Sequence, residues 1–278
     1  MPRANRYIVP GYVYHVTHRC HNRDFLFRYA VARNQYRMLV YRNLKDSQLS
    51  ILNYCITCNH THFLVVPMPG AGEEVLSRFM QRVEGEFAQA YNLAKGRRGA
   101  FWEDRYHATM IDAEGYLWNC LKYIDLNMVR AGVVKHPSGW AWTGFCELIG
   151  TKNRYRLVDL SRLLELLGGW PQDQFRMAYQ DAMQDAIERR DLQRQGKWSE
   201  CIAVGGEAFI KRVGPQIRNR MKIEIEEDPA GSTILLIREA QSFYSPKTHP
   251  RNSPQAVKTA DYKLYSLGNQ QTLLVRPE

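Results

Sequence analysis

No stretch of this sequence stays apolar for the ~20 residues that a membrane-crossing helix needs. Its opening, Met1-Pro-Arg-Ala-Asn-Arg-Tyr7, lacks the apolar core of a secretory signal. Cysteine is sparse, with Cys20, Cys55, Cys58, Cys120, Cys146 and Cys201 scattered along 278 residues, a pattern of free thiols and not of a disulfide framework. Together these features lead us to expect a cytoplasmic protein. There is no internal repeat. Acidic residues are also in short supply, 28 against 38 Lys and Arg, so the net charge is +10 and the pI about 9.3. A polyanion is the natural partner for such an excess, although a solvated basic face would give the same count.

The excess is concentrated early. Residues 1–58 hold nine Lys or Arg against only Asp24 and Asp46, a balance of +7. Arg3, Arg6, Arg19, Arg23, Arg33 and Arg37 fall before or around the first expected strand and helix, where they could line a nucleic-acid path. In the tail, Arg3, Asn5 and Arg6 are suited to reading base edges. The 45% hydrophobic content suffices for a packed core.

Alternation predicts a strand over 12–19, and helical spacing of apolar residues predicts a helix over 28–44. Residues 49–58 and 60–67 read as a hairpin turning near Asn59. An amphipathic helix follows over 73–94, with Val75, Leu76, Phe79, Met80, Val83, Phe87 and Tyr91 as its stripe. Gly96-Arg97-Arg98-Gly99 breaks it and makes a basic loop suited to a phosphate backbone. A short strand is predicted over 107–111 and a helix over 113–129, with Gly132 suited to its C-terminal cap. This order suggests an α+β fold, an antiparallel sheet with helices packed on one side. The texture changes after Trp140-Ala-Trp142, so a boundary is expected near residue 150, dividing domain 1–150 from a C-terminal region 151–278. In that region 157–167 and 172–194 look helical, 209–227 is basic and then mixed, and 241–258, rich in Ser, Pro and His, looks less ordered.

Two constellations carry chemistry. In Asn59-His60-Thr61-His62 a strand sets the two imidazoles on one face, about 6–7 Å apart along the backbone, where they can hold one metal ion. In Tyr123-Ile-Asp-Leu-Asn127 the i, i+4 spacing puts a phenol and an amide on one helix face. Cys55-x-x-Cys58-x-His60-x-His62 also invites a zinc reading. However, zinc modules separate their ligand pairs by a loop, and the odd interval sends Cys55 and Cys58 to opposite strand faces. Arg105 could clamp a phosphate or pair with Glu103 or Asp104. Trp140 and Trp142 could stack bases but read better as core.

Taken in order, Asn59-His-Thr-His-Phe-Leu-Val-Val-Pro67, Phe101-Trp-Glu-Asp-Arg105-Tyr-His-Ala108 and Tyr123-Ile-Asp-Leu-Asn127-Met-Val-Arg130-Ala-Gly132 resemble the REP-associated tyrosine transposases. These are a branch of the single-tyrosine HUH transposases of bacterial insertion sequences. Tyr14-His-Val-Thr-His-Arg19, Asn22-Arg23 and Gly139-Trp-Ala-Trp142 fit the same pattern, so the resemblance covers about residues 5–148. Met128 stands where such proteins commonly have proline, and Cys20-His21 replaces a more usual Gly-Asn step.

The resemblance implies a ferredoxin-like HUH nuclease fold, followed here by a largely helical C-terminal region of open role. It also implies a single-stranded DNA endonuclease and strand transferase. Tyr123 would be its nucleophile, giving a 5′-phosphotyrosine intermediate, and His60, His62 and Asn127 would hold Mg²⁺ or Mn²⁺. The expected partner is hairpin-containing, REP-like DNA, bound by Arg3, Arg6, Arg19, Arg23, Arg97, Arg98 and Arg105. The expected protein is a monomer or homodimer, free of membrane and nucleotide cofactor, and nucleoid-associated in a bacterium when DNA-bound. The alternatives are a DNA-binding protein with this fold but no turnover, and a zinc-stabilised RNA-binding module.

Overall fold

The computed structural model describes residues 8–217, 221–227, 233–239, 263–267 and 271–275. The expected elements are present in their expected order. Strand β1 (Val13–Arg19) is followed by α1 (Ala30–Leu44), the hairpin β2 (Leu49–Ile56) and β3 (His60–Pro67), α2 (Val75–Ala94), and β4 (His107–Ile111). The helix predicted over 113–129 is two pieces, α3 (Leu117–Asp125) and α4 (Asn127–Arg130), divided at Leu126. Gly132 follows with φ +69°, the left-handed conformation that ends a helix at little cost to glycine. Then come α5 (Phe145–Leu148), α6 (Leu160–Leu166), α7 (Gln172–Glu188), α8 (Lys197–Glu200), β5 (Ala203–Gly205), α9 (Glu207–Val213), β6 (Met221–Glu227) and β7 (Thr233–Glu239).

The strands form one sheet in the order β2-β3-β1-β4-β5-β7-β6. Every neighbouring pair is antiparallel except β4 with β5, so the expected antiparallel sheet is in fact mixed. A separate compact unit contains β8 (Lys263–Leu267) paired antiparallel with β9 (Gln271–Val275). The serine- and proline-rich stretch 241–258 lies outside the described residues. No helix among those described is long and apolar enough to cross a membrane. All six cysteines are free.

Helices cover both faces of the sheet, which corrects the expected one-sided arrangement. Side chains alternate along a strand, so His15 and His18 of β1 point to opposite faces. His18 bonds Glu84 of α2 at 2.5 Å, whereas the His15 ring lies against Tyr123 of α3. On the α1–α2 face, Phe27, Tyr36, Phe63, Phe87 and Phe101 form a buried aromatic cluster. The stripe of α2 buries Leu76, Phe79, Met80, Val83 and Phe87 as its periodicity predicted. Trp140 is core, and its indole donates to the carbonyl of Ile56.

The boundary expected near residue 150 is not where the chain divides; the compact units part at 240/241. A buried carboxylate shows the reason. Glu147 Oε1 accepts from Arg37 at 2.8 Å and from the Tyr54 hydroxyl at 2.7 Å, while Oε2 accepts the backbone N–H groups of Leu157 and Val158 at 2.6 and 2.9 Å. One side chain thus binds α1, β2 and the segment beyond 150. The C-terminal region is also less helical than expected, since β5, β7 and β6 extend the sheet.

The same network changes the reading of two arginines. Arg37 is buried against Glu147 and Tyr54. Arg33 is buried with its guanidinium on the carbonyls of Phe27 and Arg28 and over the rings of Trp140 and Trp142. Neither lines a nucleic-acid path; both are scaffold.

Removing one member of a buried ion pair leaves the other charge uncompensated. Glu147→Ala should therefore cost about 3–5 kcal/mol of stability. Glu86→Ala, which breaks only the exposed Arg82–Glu86 pair, should cost about 0.5 kcal/mol or less. Urea denaturation of both variants checks the contrast.

Candidate active site

Register decides which face receives the two histidines. Strand β3 pairs with β1 so that His62 stands opposite Thr17 and His60 opposite Arg19, and β4 pairs His107 with Thr17. Directly paired residues share a face, so His15, Thr17, Arg19, His60, His62 and His107 all lie on the side away from α2. There they line a cleft of about 710 Å³, with the exception of His15, which is buried beneath it. Tyr123, Asn127 and Arg130 enter from α3 and α4, and Arg194, Ser199 and Glu200 from the segment around α8.

Both metal-ligand candidates have their Nδ1 atoms engaged. His60 Nδ1 lies 2.7 Å from Asn59 Oδ1 and 2.9 Å from Thr57 Oγ1. An amide oxygen only accepts, so His60 carries its proton on Nδ1 and leaves Nε2 bare. His62 Nδ1 lies 2.9 Å from His15 Nε2, and its Nε2 faces Asn127 Nδ2 at 2.9 Å. The two rings are 4.7 Å apart, centroid to centroid. Burial, reinforced by nearby rings and by Arg19 and Arg130, holds His62 well below the usual imidazole range. His60 is lowered to about 4, by burial first and then by Arg19 and Arg130, and His15 to about 4, mainly by burial.

These donors fit a divalent cation. Two neutral imidazoles carry unprotonated nitrogens, and Asn127, whose amide nitrogen meets His62 Nε2 in this structure, would add an oxygen once that amide turns, a mixed N,O set suited to Mn²⁺ or Mg²⁺. For the zinc alternative, no group of three or more His, Cys, Asp or Glu side chains with metal-binding geometry occurs among the described residues.

Tyr123 lines the cleft but is only 7% exposed. Its ring sits 6.1 Å from His15, 6.2 Å from His62 and 6.2 Å from Trp198. The guanidinium of Arg130 lies over it at 4.3 Å and also bonds its carbonyl. Burial raises the phenol's pKa, and the positive charges of Arg130 and Arg194 oppose that rise. Neighbouring Asp125 faces away and ties the helix down: it accepts from Thr143 and, at 2.5 Å, from the Tyr179 hydroxyl of α7, while burial pushes it up to about 6.

The expected DNA-contacting arginines divide. Arg19 and Arg105 are exposed and line the cleft. Arg23 and Arg98 are exposed outside it, Arg23 beside the turn through a bond from Asn59 Nδ2 to its carbonyl. Arg97 is committed to its own loop, donating to Asn92, Gly99 and Ala100. Arg3 and Arg6 lie outside the described residues. Sequence reasoning gave no role to His15, Asn59, Arg130, Arg194, Trp198 or Glu200. His15 and Arg130 stood in quoted motifs, so their proximity to the chemistry was the available signal. Nothing in the sequence marks Arg194, Trp198 or Glu200.

Residues 8–127 match the family model described as "Transposase IS200 like". This segment, less than half of the chain, is similar to the IS200-like transposases. The match agrees with the resemblance read from the motifs, most of which fall inside it. The chain is similar to a REP-associated tyrosine transposase solved bound to a REP hairpin, at 20% identity over 62% of this chain and 90% of that one, TM-score 0.46. It is also similar to a Deinococcus radiodurans R1 protein assigned to the transposases, at 16% identity over 39% and 82% of the two chains, TM-score 0.29. Among curated proteins none matches.

The buried rings make stability depend on pH. An imidazole whose folded pKa is depressed takes up its proton more readily unfolded, so its contribution is present above pH 6.5 and is lost as pH falls toward 4. For His15 this loss is on the order of 3 kcal/mol, and His62 adds to it. Asp125 runs the other way, because its raised value favours the folded state as pH falls from 6 toward 4. With three depressed imidazoles, His15, His60 and His62, against one carboxyl, the metal-free protein should lose net stability between pH 6.5 and 4.5. Urea midpoints across that window check this, and Asp125→Asn should steepen the loss.

Proposed function

We propose that this protein is a metal-dependent single-stranded DNA endonuclease and strand transferase of the REP-associated type, with Tyr123 as nucleophile. The observation that carries the reading is the convergence of Tyr123, His60, His62 and Asn127 on one basic cleft. In the proposed reaction the Tyr123 oxygen bonds to a DNA phosphorus as the bond from phosphorus to the 3′ oxygen breaks. The phenol proton is lost, the 3′ oxygen gains one, and no electrons change hands. The products are a 5′-phosphotyrosine and a 3′-hydroxyl, and the reverse attack rejoins a strand without a nucleotide cofactor.

A divalent ion held by His60, His62 and Asn127 would neutralise charge developing on the phosphate and orient it. The chain's own groups do the rest. Arg130 and Arg194 place positive charge beside the phenol and favour its ionised form. Trp198 and the buried rings hold the aromatic plane. Arg19 and Arg105 stand where they can contact the backbone of a bound strand. Hairpin-containing, REP-like DNA is the substrate the motif resemblance supports, and Arg3 and Arg6 are the residues we assign to reading unpaired bases beside the hairpin. The location proposed is the bacterial cytoplasm, on DNA.

Incubation with single-stranded palindromic DNA and Mn²⁺ should give a protein–DNA adduct that survives denaturing electrophoresis. Tyr123→Phe should abolish the adduct and keep DNA affinity within a few-fold of the parent; cleavage at the normal rate would rule Tyr123 out. His60→Ala and His62→Ala should each remove activity with little rescue by excess Mn²⁺, whereas Asn127→Ala should be milder because water can replace a neutral amide. If binding is phosphate-dominated, affinity should fall steeply with salt, and the combined Arg19→Ala and Arg105→Ala change should make the log–log slope shallower by about 2.

A further inference from the structure

His15 belongs to none of the proposed ligands, yet it is fully buried directly behind one of them. Its Nδ1 lies 2.6 Å from the carbonyl oxygen of Trp198, and its Nε2 lies 2.9 Å from His62 Nδ1. A carbonyl oxygen can only accept, so the His15 proton sits on Nδ1 and its Nε2 presents a lone pair. His62 must then donate from Nδ1. A neutral imidazole carries one proton, which leaves His62 Nε2 bare on the side facing Asn127 and the cleft.

The far end of this relay lies outside the family-matched segment, which stops at residue 127. Residues 195–205 are clamped onto the histidine-bearing face by several independent contacts. The Trp198 side chain is buried with its ring 6.2 Å from that of Tyr123, and within the segment its indole donates to Gln195 Oε1 at 2.6 Å. The carbonyl of Cys201 accepts from Thr109 Oγ1 at 2.7 Å and from His107 Nε2 at 2.9 Å. Immediately beyond, β5 pairs in parallel with β4, Met110 opposite Ala203. The Trp198 carbonyl is therefore fixed in place rather than carried on a free loop.

We infer that His15, anchored by the Trp198 carbonyl, is a positioning residue that locks His62 in the Nδ1-protonated tautomer and so aims its Nε2 lone pair at the metal side of the cleft. The inference rests on the proposed metal role of His62. It gives the segment after residue 150 a part in the catalytic site, because the acceptor that sets the whole relay comes from α8. Orienting groups behind a metal-bound imidazole commonly change metal affinity 10- to 100-fold when removed.

The first test uses the full-length, metal-free protein labelled with ¹⁵N at histidine. Long-range ¹H–¹⁵N correlation spectra should show His15 and His62 both protonated at Nδ1 with bare Nε2 atoms; a His62 proton on Nε2 overturns the inference. This readout involves neither metal nor DNA, so it decides the inference even if the protein binds no Mn²⁺, an outcome that would instead defeat the proposed metal dependence. Calorimetric Mn²⁺ titration of two variants supplies the second test. In His15→Gln the amide can donate to Trp198 and accept from His62, so affinity should stay within about threefold of the parent, while His15→Leu should lose about 10- to 100-fold. Parent-like affinity in a folded His15→Leu protein, or an equal loss in both variants, contradicts the positioning role. Should His15→Leu fail to fold, the tautomer spectrum and the His15→Gln affinity decide it.

Discussion

In the observed register, Thr17 of β1 faces His62 of β3 and Arg19 faces His60. A slip of one residue would turn both imidazoles onto the α2 face, among Phe27, Tyr36 and Phe87, and would bring Thr61 and Phe63 to the cleft in their place. The register is held from both sides. Aromatic packing on one face fixes which residues of β3 are buried under α1 and α2, and on the other the His15–His62 bond forms only when the two strands are aligned as they are. Stability and chemistry thus draw on the same pairing, since the apolar alternation that seats Phe63 and Val65 is also what turns His60 and His62 toward Tyr123.

The site itself is a set of groups whose partners determine what they can do. Asn59 and His15 each occupy an Nδ1 and thereby free an Nε2. Burial keeps both rings uncharged at neutral pH, which is the state that can ligate a cation. Arg130 works in two directions at once, bonding the Tyr123 carbonyl where the helix breaks after Asp125 and placing its charge over the phenol ring. Asp125, in the middle of the same motif, has no place in the cleft; its bonds to Thr143 and Tyr179 set the angle at which α3 presents Tyr123.

Much of this was legible in the sequence because it depends on local periodicity. The hairpin around Asn59, the stripe of α2 and the β4 strand all follow from alternation or helical spacing, and the HxH and YxxxN patterns announced their shared face. What was not legible depends on distant partners. Arg33 and Arg37 looked like nucleic-acid contacts because charge alone does not reveal Glu147, 110 positions away from Arg37. Strand β5 is three residues long, too short for alternation to register, and β6 was passed over although Ile223 and Ile225 alternate with Lys222, Glu224 and Glu226. The role of Trp198 is carried by its carbonyl, which no side-chain pattern can encode.

The claim on which the account turns is that Tyr123 attacks DNA from the face it shares with His60, His62 and Asn127. It is tested most directly by digesting the adduct formed with single-stranded palindromic DNA and Mn²⁺ and locating the modified residue by mass spectrometry. The account predicts a nucleotide mass on the tryptic peptide of residues 123–130, attached through phosphate to Tyr123. A covalent nucleotide on any other residue would contradict it.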